Sequence, residues 1–480
     1  MAGFVEYESY DAVGLAGLIA RKEVAAAEVL EAAIARIEAR NPAINAVVHR
    51  QYDSARDAVK TGLPPGPLCG VPYLLKDLYV LETGMPCSNA SRLYDGFVAD
   101  HDSTLTERLK RAGMVIVGRT NTPEFGINMA TEPVRWGPTR NPCTRARSAG
   151  GSSGGAAAAV AARMVPAAHA TDGGGSIRIP AANCGLFGLK LTRGRNPAGP
   201  DVGEGWSGLA GGHCVTVSVR DSAAILDATG GPAPGDPYCA PAPARPFREE
   251  VGADPGRLRI ALMTAAPGGG AVHEACAAAA LAAAKLCEEL GHHVEEAAPE
   301  IDFDSLVWAM SVIIGGNLRN GMDLRLKALG REQREGDVEA ITALWAQDAR
   351  RRSAADYARA ILIVHTIGRR MGAFFEHYDA LISPTLANPP LPLGATDMMS
   401  DDLDSYNAML FTQIPFTPPF NASGCPAASL PLHWTADGLP VGVQIGARFG
   451  DEATILRLAA QIEAARPWRG RVPSGLAAVP

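Results

Sequence analysis

The chain has 480 residues, 47% hydrophobic and 20% charged, with a formal net charge of −7. That balance suits a folded core, and an acidic chain without a long basic run argues against nucleic acid as a main partner. Nine scattered cysteines with no C-x-x-C pair fit neither a disulfide framework nor a zinc site, and point to a reducing compartment.

Met1 to Glu8 is acidic and has no basic stretch ahead of an apolar core, so no signal peptide is expected. Residues 11–40 read as two helices, the second carrying Val29, Leu30, Ile34 and Ile37 at helical spacing and stopped by Asn41-Pro42. The Pro/Gly cluster at 64–67 is a loop. Gly70 to Asp77 reads as a buried strand with a polar end. Ser103 caps a helix that reaches Ala112, and Met114 to Val117 is a strand. Ala156 to Ala162 reads as a buried Ala-rich helix. Leu186 to Leu191 and Val215 to Val219 are strands, and 231–257 is a Pro-rich excursion of loops.

A β-α-β pattern follows: Leu258 to Met263, an Ala-rich helix at 273–290, then His293 to Glu296. His292-His293 is expected on a solvated turn. Residues 304–378 are mostly helical, Leu381-Ile382 is a short strand, and Ala427 to Leu432 and Val441 to Ile445 pair across Asp437-Gly438. A helix at about 452–465 closes the chain. No Ala-rich run is long enough to span a bilayer. Strands alternating with helices predict an α/β fold with a central mixed, twisted sheet flanked by helices. One domain over 1–480 is expected: N-terminal helices at 1–65, a core at 66–230, a helical insertion at 300–400 and a return to the core at 401–480.

The chemistry concentrates in two glycine clusters, Gly150-Gly151-Ser152-Ser153-Gly154-Gly155 and Asp172-Gly173-Gly174-Gly175-Ser176-Ile177-Arg178. Glycine lets backbone N–H groups approach a bound atom. A serine among such groups suits acyl transfer, where a nucleophile sits beside an anion-stabilising pocket. Read alone, Gly-Gly-Gly-Ser also fits a plain tight turn. Gly151 to Gly155 matches the G-x-S-x-G elbow around Ser153, but Thr144 to Ala149 does not read as the strand that elbow requires. None of the ten histidines lies in a local motif; position 277 is alanine, so His273-Glu274 does not open an H-E-x-x-H site. Lys76 ends an apolar stretch, where burial would lower its pKa and make it a base. A lysine that snorkels to solvent is the competing reading.

Together these residues resemble the amidase signature family, whose catalytic unit is Ser–cis-Ser–Lys. The resemblance runs through Gly70 to Asp77, Gly118 to Gly126, Asn141-Pro142, Gly150 to Gly155, Thr171 to Pro180, Pro419 to Pro426 and Asp437 to Gln444. It is weakest at 230–400. The separation of 24 positions between Ser152 and Ser176 agrees with the family's interval. The resemblance implies Ser176 as nucleophile, Ser152 as bridging serine on a cis peptide after Gly151, and Lys76 as base. It implies an oxyanion hole from the backbone of Gly173, Gly174, Gly175 and Ser176. Ser153 is a supporting partner, Asp172 and Arg178 a structural pair, and Arg119 to Phe125 a lining segment. Ala149, Gly173 and Cys425 depart from common family residues and bear on pocket shape.

The implied activity is hydrolysis of small, hydrophobic amides, with carbamate or ester cleavage as an alternative by the same mechanism. A glutaminase subunit of a tRNA-dependent amidotransferase and a non-catalytic binding protein are further readings. Gly70 to Asp77, Thr131 to Gly137 and Pro467-Trp468-Arg469 are similar to the family's 6-aminohexanoate cyclic-dimer hydrolase branch. Met129, Gly151, Trp308, Ile314 and Phe416 are expected to bind substrate; Met310, Met409 and Phe411 are further wall candidates. No metal or organic cofactor, no membrane and no nucleic acid is expected. A cytoplasmic enzyme follows, with a homodimer compatible.

Overall fold

The computed structural model describes residues 4–479. Eleven strands form one mixed sheet. They are β1 (Val47–Arg50), β2 (Pro72–Lys76), β3 (Val115–Thr120), β4 (Ala167–Asp172), β5 (Phe187–Lys190), β6 (Gly211–Thr216), β7 (Arg259–Leu262), β8 (His293–Glu296), β9 (Ala380–Pro384), β10 (Ala427–Trp434) and β11 (Pro440–Gly446). Their order across the sheet is β1-β3-β2-β4-β6-β5-β10-β11-β9-β7-β8. β3, β2 and β4 run parallel, and so do β9, β7 and β8. Antiparallel pairs through β6, β5, β10 and β11 join the two groups. The sheet is therefore mixed and flanked by helices, as the alternating pattern predicts.

The inner strands are buried on both faces, so they read as continuous apolar runs rather than alternating ones. β4 escapes the sequence reading for a related reason. Its residues, Ala167-Ala168-His169-Ala170-Thr171-Asp172, have low strand propensity and resemble more of the preceding Ala-rich helix. Central burial between β2 and β6 overrides that preference. β1 is missed because it is a short edge strand. Pro42 does not stop the second helix, which runs Ala26–Ile44. Instead Asn41 Oδ1 accepts from Ala46 and Val47 N–H at 2.8 Å each, and Asn45 takes a left-handed φ of 59° one turn later. His292 is buried rather than solvated, with Nδ1 accepting from Leu258 N–H at 3.2 Å.

The helical insertion comprises Phe303–Leu329, Ala340–Ala349 and Ala354–Phe374. Two carboxyl groups stitch it to the sheet half. Glu124 accepts the Glu339 N–H at 2.8 Å, and Glu339 accepts the Val134 N–H at 2.7 Å. Burial pushes these carboxyls up to about 7 and about 8, and for Glu339 the neighbouring Glu124 adds to the shift.

Gly155 lies in the first turn of the helix Gly154–Ala161, which packs on β1 and β3. A Cβ there would lie 2.4 Å from Asn121 N and 2.7 Å from Ala46 O, both backbone atoms that cannot rotate away. Gly155→Ala is expected to cost about 1–3 kcal/mol. Urea unfolding should show a lower midpoint at unchanged slope; an unmoved midpoint would refute this packing account.

Candidate active site

Parallel strands β2 and β4 end side by side, and open α/β sheets place their sites at such carboxyl ends. Lys76 is the last residue of β2 and is fully buried. Its Nζ lies 2.7 Å from Ser152 Oγ, 3.0 Å from Ser153 Oγ and 2.9 Å from Thr171 Oγ1. All three partners are neutral hydroxyls. Burial therefore lowers the Lys76 pKa well below its ordinary value, and the Asp172 charge opposes this only in part. Behind it, His169 Nδ1 faces the Lys76 N–H at 3.4 Å. Burial, the largest cause, pushes that imidazole down to about 3, so it is neutral.

Ser152 follows a cis Gly151–Ser152 peptide and is buried. Gly151 must be bare because a Cβ would lie 2.7 Å from Asn128 O and 2.8 Å from Ala130 N. Ser153 Oγ donates to Thr171 O at 3.3 Å and accepts from Thr171 N–H at 3.2 Å. Ser176 is half-buried and faces the cleft. Among the described residues its Oγ has no hydrogen-bond partner, and Ser153 N–H donates to its carbonyl at 3.3 Å.

Between β4 and the helix Arg178–Cys184 the chain turns around Asp172. This buried carboxylate accepts from Gly175 N–H at 2.8 Å, Ile177 N–H at 3.2 Å, Arg178 Nη2 and Nε at 2.9 Å each, and Asn421 Nδ2 at 2.9 Å. Burial alone would raise its pKa; Arg178 and Asn421 outweigh that and hold it low. Arg178 spends its remaining N–H groups on Thr417 O, Gln444 Oε1 and Asn421 Oδ1 at 2.6–2.9 Å. The Gly175 N–H is thus committed inward, which removes it from the expected anion pocket. Among the described residues, the Gly174 and Ser176 amides have no acceptor, and both residues line the cleft.

The cleft is open to solvent on one side, and its cavity volume is about 40 Å³. Met129, Ile314, Met310 and Phe411 line it. Trp308 does not: it stands off the cleft under the Arg359 guanidinium, 4.9 Å from its ring centre. Phe416 and Met409 also miss it, and Phe416 is fully buried core. Arg119 is turned away from the cleft, donating to the carbonyls of Lys76 at 3.3 Å and Val80 at 2.7 Å. None of Arg119 to Phe125 lines the cleft; Gly126, Ile127 and Asn128, just after that segment, do. Trp206, Trp345 and Ile414 also line the cleft without having been singled out. Among the described residues no group of three or more His, Cys, Asp or Glu could hold a metal ion, and no helix is long and apolar enough to cross a membrane.

The family model described as Amidase matches residues 28–456. The chain belongs to the amidase signature family. A 6-aminohexanoate-cyclic-dimer hydrolase of Paenarthrobacter ureafaciens is 40% identical over 475 residues, covering 96% of each chain. A solved structure of 6-aminohexanoate cyclic dimer hydrolase superposes with a TM-score of 0.93 at 38% identity, covering 97% of this chain and 99% of that one. A bacterial aryl acylamidase structure gives 0.89 at 29% identity, covering 97% and 98%. This amidase is a hydrolase of carbon–nitrogen bonds other than peptide bonds.

The Asp172–Arg178 pair holds the amidase's glycine loop in place. Asp172→Asn leaves the buried Arg178 charge uncompensated, at an expected cost of about 3–5 kcal/mol. Because the carboxyl is held below its unfolded value, its contribution is present above the ordinary Asp range and lost only as pH falls toward the folded value. Urea unfolding at neutral pH should therefore show nearly the whole loss in Asp172→Asn, and a difference under about 1 kcal/mol would remove the pair from this role.

Proposed function

We propose that Ser176 is the nucleophile, Ser152 the bridging proton carrier and Lys76 the base of an acyl-enzyme amidase. One observation carries this reading: a buried lysine ringed by hydroxyls. A neutral amine has two N–H groups and one lone pair. Ser153 already donates to Thr171 O, so it accepts from Lys76. With a second N–H given to Thr171 Oγ1, the lone pair is left facing the Ser152 O–H at 2.7 Å.

Lys76 Nζ takes the Ser152 proton as Ser152 Oγ takes the Ser176 proton, and Ser176 Oγ bonds to the carbonyl carbon. The Ser176 hydroxyl must turn to Ser152 to close the relay, since apo contacts commonly tighten only when substrate binds. The oxygen's growing charge meets the Gly174 and Ser176 amides; one such donor is worth about 3–4 kcal/mol. The relay then reverses: Lys76 returns a proton through Ser152 to the amine as the C–N bond breaks. Water attacks the ester under the same base, and the acid leaves with Ser176 regenerated.

The cleft walls are Met129, Ile179, Met310, Ile314, Leu410 and Phe411, among others, and no charged side chain lines them. This supports uncharged, hydrophobic amides and disfavours glutamine, whose two charges would be desolvated without partners. It is compatible with the cyclic-dimer hydrolase and acylamidase relatives. Carbamates and esters carry the same carbonyl and fit the same chemistry. The nine free cysteines support a cytoplasmic setting.

Ser176→Ala should abolish turnover and fluorophosphonate labelling while leaving the unfolding midpoint in place; full activity would sink the assignment. Lys76 must be unprotonated, so kcat/KM should rise with pH through the Lys76 pKa and level off below 10.5. Lys76→Ala should lose most amidase activity together with that acid limb. An unchanged limb in this variant would assign the base elsewhere. With one acyl group on anilide, alkyl amide, ester and carbamate leaving groups, the two amides should be cleaved.

A further inference from the structure

Of the three glycines before Ser176, Gly173 and Gly175 leave space that other segments occupy, while Gly174 has only an ordinary contact. A Cβ at Gly173 would lie 2.6 Å from ring carbons of Trp206, and one at Gly174 3.5 Å from the Met310 methyl. At Gly175 it would lie 2.6 Å from Thr417 Oγ1. The indole of Trp206 therefore stands where a side chain of the nucleophile loop would otherwise project.

Its backbone is unusual. Trp206 and Ser207 have φ of 49° and 52°, in the left-handed region that bulky residues avoid. Non-glycine residues stay there when their surroundings hold them, and such residues cluster at ligand clamps. The holding contacts are visible. Ser207 Oγ lies 2.5 Å from Tyr357 Oη, which accepts from Asn317 Nδ2 at 3.0 Å. Asn317 and Tyr357 belong to the helices Phe303–Leu329 and Ala354–Phe374. The turn is thus pinned to the insertion on one side and laid over Gly173 on the other. Trp206 itself is half-buried and lines the cleft beside Ser176 and Gly174.

We propose that Trp206 is a specificity-determining residue: its indole is the platform against which a planar aromatic group of the substrate stacks, and Ser207–Tyr357 sets its pose. This rests on the cleft being the active site. Apart from Trp206, Trp345 and Phe411, the lining side chains are aliphatic, thioether, the Asn128 amide or the Ser176 hydroxyl. Trp345 is buried and ties its Nε1 to Asn407 at 3.1 Å. Of the two indoles, Trp206 is the one against the nucleophile loop, so it offers a flat π-face near the reacting carbonyl. Such stacking is worth a factor of about 2–12 beyond area burial.

The test uses four amides that pair an acetyl or benzoyl group with aniline or n-hexylamine. Trp206→Ala should raise KM about tenfold for the aromatic amides and change acetyl-hexylamide less than about threefold, with kcat nearly kept. Trp206→Phe should restore most of the aromatic preference. Tyr357→Phe, which removes one hydroxyl, should give a smaller loss of the same pattern. Binding of the same amides to Ser176→Ala by calorimetry separates the two layers. If that variant still turns over, the nucleophile reading fails. If it is inert but Trp206→Ala weakens all four amides equally, or none, the platform is refuted. A folded Tyr357→Phe with unaltered preference would refute the Ser207–Tyr357 part.

Discussion

Everything in the site depends on keeping one lysine out of water. A charged ammonium buried against neutral hydroxyls is unfavourable, and no carboxylate bonds Nζ of Lys76 to repay it. The fold resolves this by favouring the neutral amine. That choice explains the company it keeps. Ser153 has both of its other hydrogen-bonding directions fixed on the Thr171 backbone, and His169 is held neutral behind the strand. The one strong anion nearby, Asp172, is already occupied by Arg178 and Asn421. A free Asp172 would draw the lysine back to its charged form; a paired one cannot fully do so.

The glycine loop is the second constraint. Asp172 gathers the amides of Gly175 and Ile177 inward, which turns the neighbouring Gly174 and Ser176 toward the cleft. Alternation of inward and outward amides follows from chain direction, so the expectation of four hole-forming groups is more than one turn can supply once Asp172 takes its share. The missing side chains matter as much as the amides. Trp206 and Thr417 come from two separate segments and fill the space beside Gly173 and Gly175. The loop is consequently a meeting point, and its glycines record close approach rather than mobility.

Much of this is legible in the sequence because it is local. Gly70 to Asp77, the two serine clusters and Asp172 to Arg178 each carry their geometry in a few consecutive residues. The pocket wall is not local. Trp308 and Trp206 look equally apt as wall residues by composition, and only helix phase and the fold of residues 199–210 decide between them. Trp308 falls on the face of Phe303–Leu329 that Arg359 covers, whereas Met310 and Ile314, four apart, share the inner face. Phe416 is apolar for the sake of the core. β4 was obscured because alanine at a doubly buried strand position obeys packing and not propensity.

This division has a consequence for how the enzyme can vary. Lys76 and the hydroxyls that ring it, Ser152, Ser153 and Thr171, all belong to β2, β4 and the turn before Gly154–Ala161, within the first two hundred residues. The cleft walls draw on residues 126–129 and 174–179 as well as on Trp206, the helical insertion and residues 410–414. The two sets meet at the glycine loop and share few side chains. Wall residues on the helical insertion can therefore change in size or polarity without altering the burial that lowers the Lys76 pKa. Gly173 and Trp206 are the exception. They fill one space between them, so a side chain added at Gly173 needs the indole to move, and specificity there is coupled to the nucleophile loop itself.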